Sequence, residues 1–121
     1  MTEILVGRLA DVRDGAVVIV SAPDVEIGVF RRGEDFYAYE NVCLHQGGPV
    51  CEGLVIPKVE DVIAPDRTLQ GQRFVVDEMH FVCPWHGYEY KLETGECIGE
   101  PGKRLRKFNV VQREGALYVE I

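Results

Sequence analysis

Residues 83–90 read CPWHGYEY and residues 43–48 read CLHQGG. Each stretch opens on a cysteine, follows it closely with a histidine and then turns on glycine. The chain therefore carries Cys43-x-His45 and, after residues 46–82, Cys83-x-x-His86. Only three histidines occur, and two of them fall in this pattern. Thiolate and imidazole are strong ligands for transition metals, so the two stretches are expected to form one metal centre: Cys43, His45, Cys83 and His86.

The spacing narrows the metal. Structural zinc gathers four ligands on one ion, usually as chelating pairs two or more residues apart. Leu44 alone separates Cys43 from His45, which is awkward for a single tetrahedral ion. The same spacing is easy when the cysteines hold one metal and the histidines its neighbour, as in a [2Fe–2S] cluster with two thiolates on one iron and two imidazoles on the other. Gly47, Gly48 and Gly87 allow backbone amides to approach cluster sulfurs. Pro84 stiffens the second loop, and Trp85 is placed to cover the cluster and exclude water. A non-redox Cys2His2 module holding Zn²⁺ is the alternative from another class.

Outward from the two loops the chain reads as β-structure. Apolar, β-branched or aromatic runs recur at 4–6, 17–20, 25–30, 36–39, 74–76, 79–82, 108–111 and 116–121. Asp14-Gly15, Arg32-Gly33, Thr94-Gly95 and Glu114-Gly115 punctuate them as turns. Short strands so regularly divided predict an all-β sandwich or small barrel. Residues 54–73 are mixed in character; Pro57 and Pro65 interrupt any helical period there. Phe36, Tyr37, Tyr39, Phe74 and Phe108 are expected in core and strand positions. His80 is expected as an exposed strand histidine without a role. Cys51 and Cys97 are expected as small buried thiols, with a bond between them left open.

At 121 residues, 46% hydrophobic and 27% charged, the composition suits one soluble globular domain. The net charge of -7 argues against nucleic acid, whose phosphates reward basic surfaces. KRLRK at 103–107 is read as a solvated strand face around Leu105. MTEILVGRLADV lacks the pattern of a signal peptide. No apolar run approaches the roughly eighteen residues that span a bilayer, so no membrane partner and a cytoplasmic location are expected. In a reducing compartment, four cysteines are for metal or burial rather than for disulfides.

CLHQGGPVCEG together with CPWHGYEYKLETGE resembles the two cluster-binding loops of Rieske proteins, specifically the soluble Rieske-type ferredoxins. The likeness extends through FYAYENVC before the first loop and GEPGKRLRKFNVVQREGALYVEI after the second. It implies a Rieske-like antiparallel sandwich or barrel formed by about 1–40 and 97–121. A small cluster-binding subdomain would occupy about 41–96, with an insertion at about 54–73. It implies Cys43 and Cys83 on the inner iron and His45 and His86 on the outer one, with one cluster per chain. Gly48, Trp85, Gly87, Tyr88 and Tyr90 would surround it.

The departures from the family's pattern concern the potential. Respiratory Rieske proteins carry a disulfide between the loops, at the positions of Gly48 and Trp85, and a serine at the position of Tyr88. Their loss implies a midpoint near the low end of the range, about -150 mV. Tyr90 stands where those proteins bond a tyrosine to a cysteine ligand, and is expected to lift it. Leu44, Pro49, Pro84 and Trp85 are expected both to shield the cluster and to form a docking rim.

A second iron site of two histidines and a carboxylate cannot be built, since only His80 remains. No dinucleotide fingerprint is evident. The chain is thus expected to carry electrons rather than to catalyse. The resemblance implies transient docking with a flavin-containing NAD(P)H reductase and with a terminal aromatic-ring-hydroxylating oxygenase. A small Rieske subunit of an assimilatory nitrite reductase is the nearer alternative.

Overall fold

A computed structural model describes residues 2–44, 47–63, 65–84 and 87–121. Among the described residues the regular structure is strand, apart from two single 3-10 turns, Leu9–Asp11 and Val50–Glu52. The strands are β1 (Glu3–Arg8), β2 (Val17–Ala22), β3 (Val25–Arg32), β4 (Asp35–Glu40), β5 (Leu54–Ile63), β6 (Leu69–Val82), β7 (Glu89–Lys91), β8 (Lys107–Arg113) and β9 (Ala116–Glu120).

Six of them form an antiparallel sheet in the order β1-β9-β8-β4-β3-β2, and β1 and β2 at its two ends lie against each other. The sheet is therefore curled into a nearly closed barrel, as the alternation of short strands and glycine turns predicts. Its interior holds Ile27, Val29, Ala38, Phe108 and Val119. The second sheet has three strands, β5-β6-β7. Between the sheets lies a second core that includes Phe30, Tyr39, Phe81, Tyr90, Cys43 and Cys83. β3 and β4 feed both cores because successive strand residues point to opposite faces: Val29 and Ala38 inward, Phe30 and Tyr39 toward the smaller sheet.

The junction between the sheets is tight. A methyl group on Gly28 of β3 would stand 2.6 Å from the Cys51 sulfur, so the bare backbone of β3 is what lets the 3-10 turn Val50–Glu52 nest there. The Cys51 thiol points at the Tyr39 carbonyl, 3.6 Å away. Burial pushes that thiol up to about 12, far above an ordinary cysteine. Only thiolate reacts with alkylating agents. Folded protein treated with iodoacetamide at about pH 8.5, where a free cysteine is half ionised, is expected to gain no label at Cys51. Peptide mass spectrometry reads this directly, and rapid labelling there would contradict the packing.

Asn41 ties the same junction by hydrogen bonds. Its Nδ2 donates to Glu26 Oε1 at 2.7 Å and to Glu52 Oε2 at 3.0 Å. Its Oδ1 accepts the buried Cys51 N–H at 2.7 Å. Asn41→Ala removes the acceptor of a buried amide, which costs about 2 kcal/mol. The expected result is a melting midpoint lower by several degrees, measured by circular dichroism.

Several sequence expectations change. The runs at 74–76 and 79–82 are one strand, β6, and the structure adds β5 and β7. Within 54–73, Leu54–Ile63 form β5 and 69–73 begin β6, a hairpin whose last pair is Ile63 opposite Leu69. Pro57 is accommodated because β5 is an edge strand, where a missing N–H need not leave a neighbour unpaired. His80, expected to be exposed, is only 2% exposed: it lies on β6, the central strand of its sheet, and its ring is bonded to two carboxylates. Phe36 and Tyr37 lie in strand β4 as expected but are half-buried, Tyr37 packing against the core between the sheets. Tyr39 and Phe108 are buried, and the side chain of Phe74 lies outside the described residues. No disulfide joins Cys43, Cys51, Cys83 or Cys97, all of which are described and buried.

Candidate metal centre

The first loop leaves β4 through Asn41, and the second leaves β6 at Val82 and returns as β7. Both loops are closed by the same pair of backbone bonds. Cys43 N–H donates to the Gly48 carbonyl at 2.8 Å, and Gly47 N–H donates to the Cys43 carbonyl at 3.0 Å. Cys83 N–H donates to the Tyr88 carbonyl at 2.8 Å, and Gly87 N–H donates to the Cys83 carbonyl at 3.0 Å. Gly47 and Gly87 take nearly the same left-handed φ, 73° and 72°, four residues after their cysteines. Glycine adopts that conformation without a steric penalty. The two turns thus match in these bonds and in the glycine φ, although one histidine follows its cysteine by two residues and the other by three.

Cys43 and Cys83 are 3% and 2% exposed and belong to one buried cluster. Tyr90 of β7 reaches the first of them. Its hydroxyl oxygen accepts the Leu44 N–H at 3.1 Å and lies 3.1 Å from the Cys43 sulfur. With the amide donating to the oxygen, the phenol's own proton is available for the sulfur. Burial and the contact with Cys43 raise the phenol well above its ordinary range, so it stays a donor. The ring stacks on Phe81 at 5.6 Å, which stacks in turn on Tyr39 at 5.5 Å. Tyr39 is anchored by its hydroxyl, which donates to the Leu92 carbonyl at 2.6 Å. An aromatic column therefore joins the barrel to the first loop.

His45, Trp85 and His86 lie outside the described residues. Of the residues expected around the cluster, Gly48, Gly87 and Tyr88 close the two turns through their backbones, and Tyr90 contacts a cysteine sulfur. Val42 and Leu44 are large apolar residues exposed on the first loop. Pro84 is exposed and Pro49 half-buried. Beside Cys83 lies a cleft of about 460 Å³ lined by Glu52, Gly53, Val82, Cys83, Pro84 and Gly87. The donor set fits a metal–sulfur group: two buried soft sulfurs at the heads of matched loops, with a phenol hydroxyl 3.1 Å from one of them. A hydrogen bond to a ligating thiolate is the kind of contact that tunes such a centre.

Asn41, Gly28 and Gly53 shape this site and were not singled out from the sequence. The Asn at the end of the strand FYAYE, two residues before Cys43, is the one signal that could have pointed to a junction.

Residues 2–109 match the family model of the Rieske [2Fe-2S] domain. A human Rieske domain-containing protein is 28% identical over 97 residues, covering 80% of this chain and 51% of that protein. The chain thus spans about half the length of that relative. A chain in the complex of reduced oxygenase and oxidized ferredoxin in carbazole 1,9a-dioxygenase is 27% identical with a TM-score of 0.70, covering 97% of this chain and 91% of that one. A protein assigned as an NADH-dependent nitrite reductase small subunit from Mycobacterium tuberculosis is 17% identical with a TM-score of 0.71, covering 98% and 93%.

Proposed function

The chain belongs to the Rieske [2Fe-2S] domain family, and from that premise we propose that Cys43 and Cys83 bind the inner iron and His45 and His86 the outer iron of its cluster. A Rieske-type [2Fe–2S] cluster is the family's cofactor, and when bound it stores and releases one electron. The chain is accordingly an electron carrier. The paired loops, each with a buried cysteine at its head, support this ligand assignment. We assign about 1–40 and 97–121 to the base and about 41–96 to the cluster-binding part.

The role of the chain's own residues follows from the geometry. Cys43 and Cys83 offer sulfurs that folding has already taken out of water. Tyr90 donates to the Cys43 sulfur and offsets negative charge there. The exposed Val42 and Leu44 form an apolar rim on which a partner closes.

We propose further that the chain acts as a ferredoxin, taking electrons from a flavin-containing NAD(P)H reductase and passing them to a terminal oxygenase of the aromatic-ring-hydroxylating kind. The likeness to a chain of the carbazole 1,9a-dioxygenase complex supports it. So does the net charge of -7, which suits brief, electrostatically steered encounters across a small interface. Among the described residues no helix is long and apolar enough to cross a membrane, and we place the carrier in the cytoplasm. A second reading, the small subunit of a nitrite reductase, draws support from a structural likeness of the same strength.

Purification of the native protein with its companions, followed by EPR after reduction, tests all of this together. A Rieske-type spectrum with no permanent partner is expected. A stable large partner favours the reductase subunit, and one zinc per chain without labile sulfide removes the cluster altogether.

A further inference from the structure

His80 stands three residues before Cys83 on β6, buried at the middle of the smaller sheet. Its Nδ1 bonds to Oε2 of Glu89 on β7. Its Nε2 lies 2.5 Å from Oε2 of Glu78 on its own strand. A neutral imidazole has one N–H and one lone pair. Each ring nitrogen thus meets one carboxylate, and the ring is held from both ends. The bond from His80 holds the Glu78 carboxyl below the usual range. Lys58 approaches Glu78 from β5 at 4.0 Å, and Lys91, opposite His80 on β7, pairs with Glu96 at 3.6 Å.

The ladder between β6 and β7 has three pairs, His80 with Lys91, Phe81 with Tyr90 and Val82 with Glu89, and is continued at its ends by the bonds from Leu92 N–H to the Met79 carbonyl and from Cys83 N–H to the Tyr88 carbonyl. Strand residues alternate in facing. One face of this ladder thus carries the diagonal His80–Glu89 link, and the other carries the Phe81–Tyr90 stack with the hydroxyl that meets Cys43. A slip of one residue moves every side chain of a strand to the opposite face. On a ladder this short, such a slip would carry Tyr90 away from Cys43.

We propose that His80 is a positioning residue for the cluster: through Glu89 it fixes the β6–β7 register that presents the Tyr90 hydroxyl to Cys43 and sets the second loop. The inference rests on the reading of Cys43 and Cys83 as ligands. It assigns work to a buried polar group that the electron-carrier reading leaves unused. Both carboxylates are about a third exposed, so truncating Glu89 removes a partly solvated group and leaves the buried His80 Nδ1 without this partner.

The test compares His80→Asn and Glu89→Ala with the unmodified holoprotein, each also in a Tyr90→Phe background. Midpoint potential and hydrogen exchange by mass spectrometry across 83–90 are measured. Both variants are expected to lower the midpoint toward that of Tyr90→Phe, to speed exchange across 83–90, and to leave the midpoint unmoved once Tyr90 is phenylalanine. Should His80→Asn fail to fold, Glu89→Ala alone decides. An unchanged midpoint overturns the proposal, whether or not the melting temperature falls, as does a full shift persisting in the Tyr90→Phe background. Absence of a cluster from the unmodified protein instead overturns the ligand reading, and the exchange comparison then still reads the clamp: unchanged exchange overturns it, faster exchange supports it.

Discussion

Tyr90→Phe is expected to lower the one-electron midpoint of the holoprotein by about 40 mV. The hydroxyl lies 3.1 Å from the Cys43 sulfur and already accepts the Leu44 N–H, and toward a ligating thiolate, which has no proton, it can only donate. Reduction adds negative charge to the centre and strengthens this bond. A differential of about 1 kcal/mol is typical of a hydrogen bond in a protein. For a one-electron couple, a tenfold change in equilibrium, about 1.4 kcal/mol, is 59 mV. The ring remains, so its stack on Phe81 and the burial of the core are preserved. Leu44 is exposed, which lets water replace the lost partner of its amide. A redox titration followed by EPR measures the shift. A midpoint that stays in place would mean that the hydroxyl does not bond the ligand.

Gly53→Ala is expected to have the largest effect on stability, about 3 kcal/mol or more. A methyl group on Gly53 would stand 1.6 Å from the Val82 carbonyl oxygen, a contact with backbone that no rotamer change relieves. Gly53 links the 3-10 turn after the first loop to β5, and its next residue, Leu54, pairs with Val82, which precedes Cys83. The missing side chain therefore sets how closely the two loops approach. Chemical denaturation measures the loss, and iron content after purification measures its consequence for cluster binding. A variant with normal stability and a full iron complement would refute the close contact.

The parts of this molecule that were legible in the sequence are those with local signatures. The cysteine–histidine pairs stand out because their residue types are rare here and their spacing is unusual. Most strands of the barrel announce themselves by apolar runs between glycine turns, as at 25–30 and 36–39. β5 and the first residues of β6 were not legible, because Pro57 and scattered charges break the alternation that a strand with one buried face would show. β7 is three residues long, too short for any period to register. His80 was misjudged because a lone histidine in an apolar strand carries no sign of its partners. Glu89 lies nine residues away and is brought to it only by pairing across the ladder. Gly28 and Gly53 look like ordinary glycines, and their meaning arises from the distant backbone and side chain they admit. His45, Trp85 and His86 lie outside the described residues, so their part in the assignment rests on the sequence and the family.

The first and last strands of the barrel are neighbours: β1 pairs with β9, Glu3 stands opposite Glu120, and Ile121 N–H donates to the Thr2 carbonyl at 2.9 Å. The two described ends of the polypeptide thus leave the barrel side by side. A short tether could join them, and the chain could be reopened at the hairpin around 33–34 without crossing either cysteine loop. The same adjacency suits a module spliced into a larger polypeptide, since both connections would depart from a single corner and leave the order of the strands undisturbed.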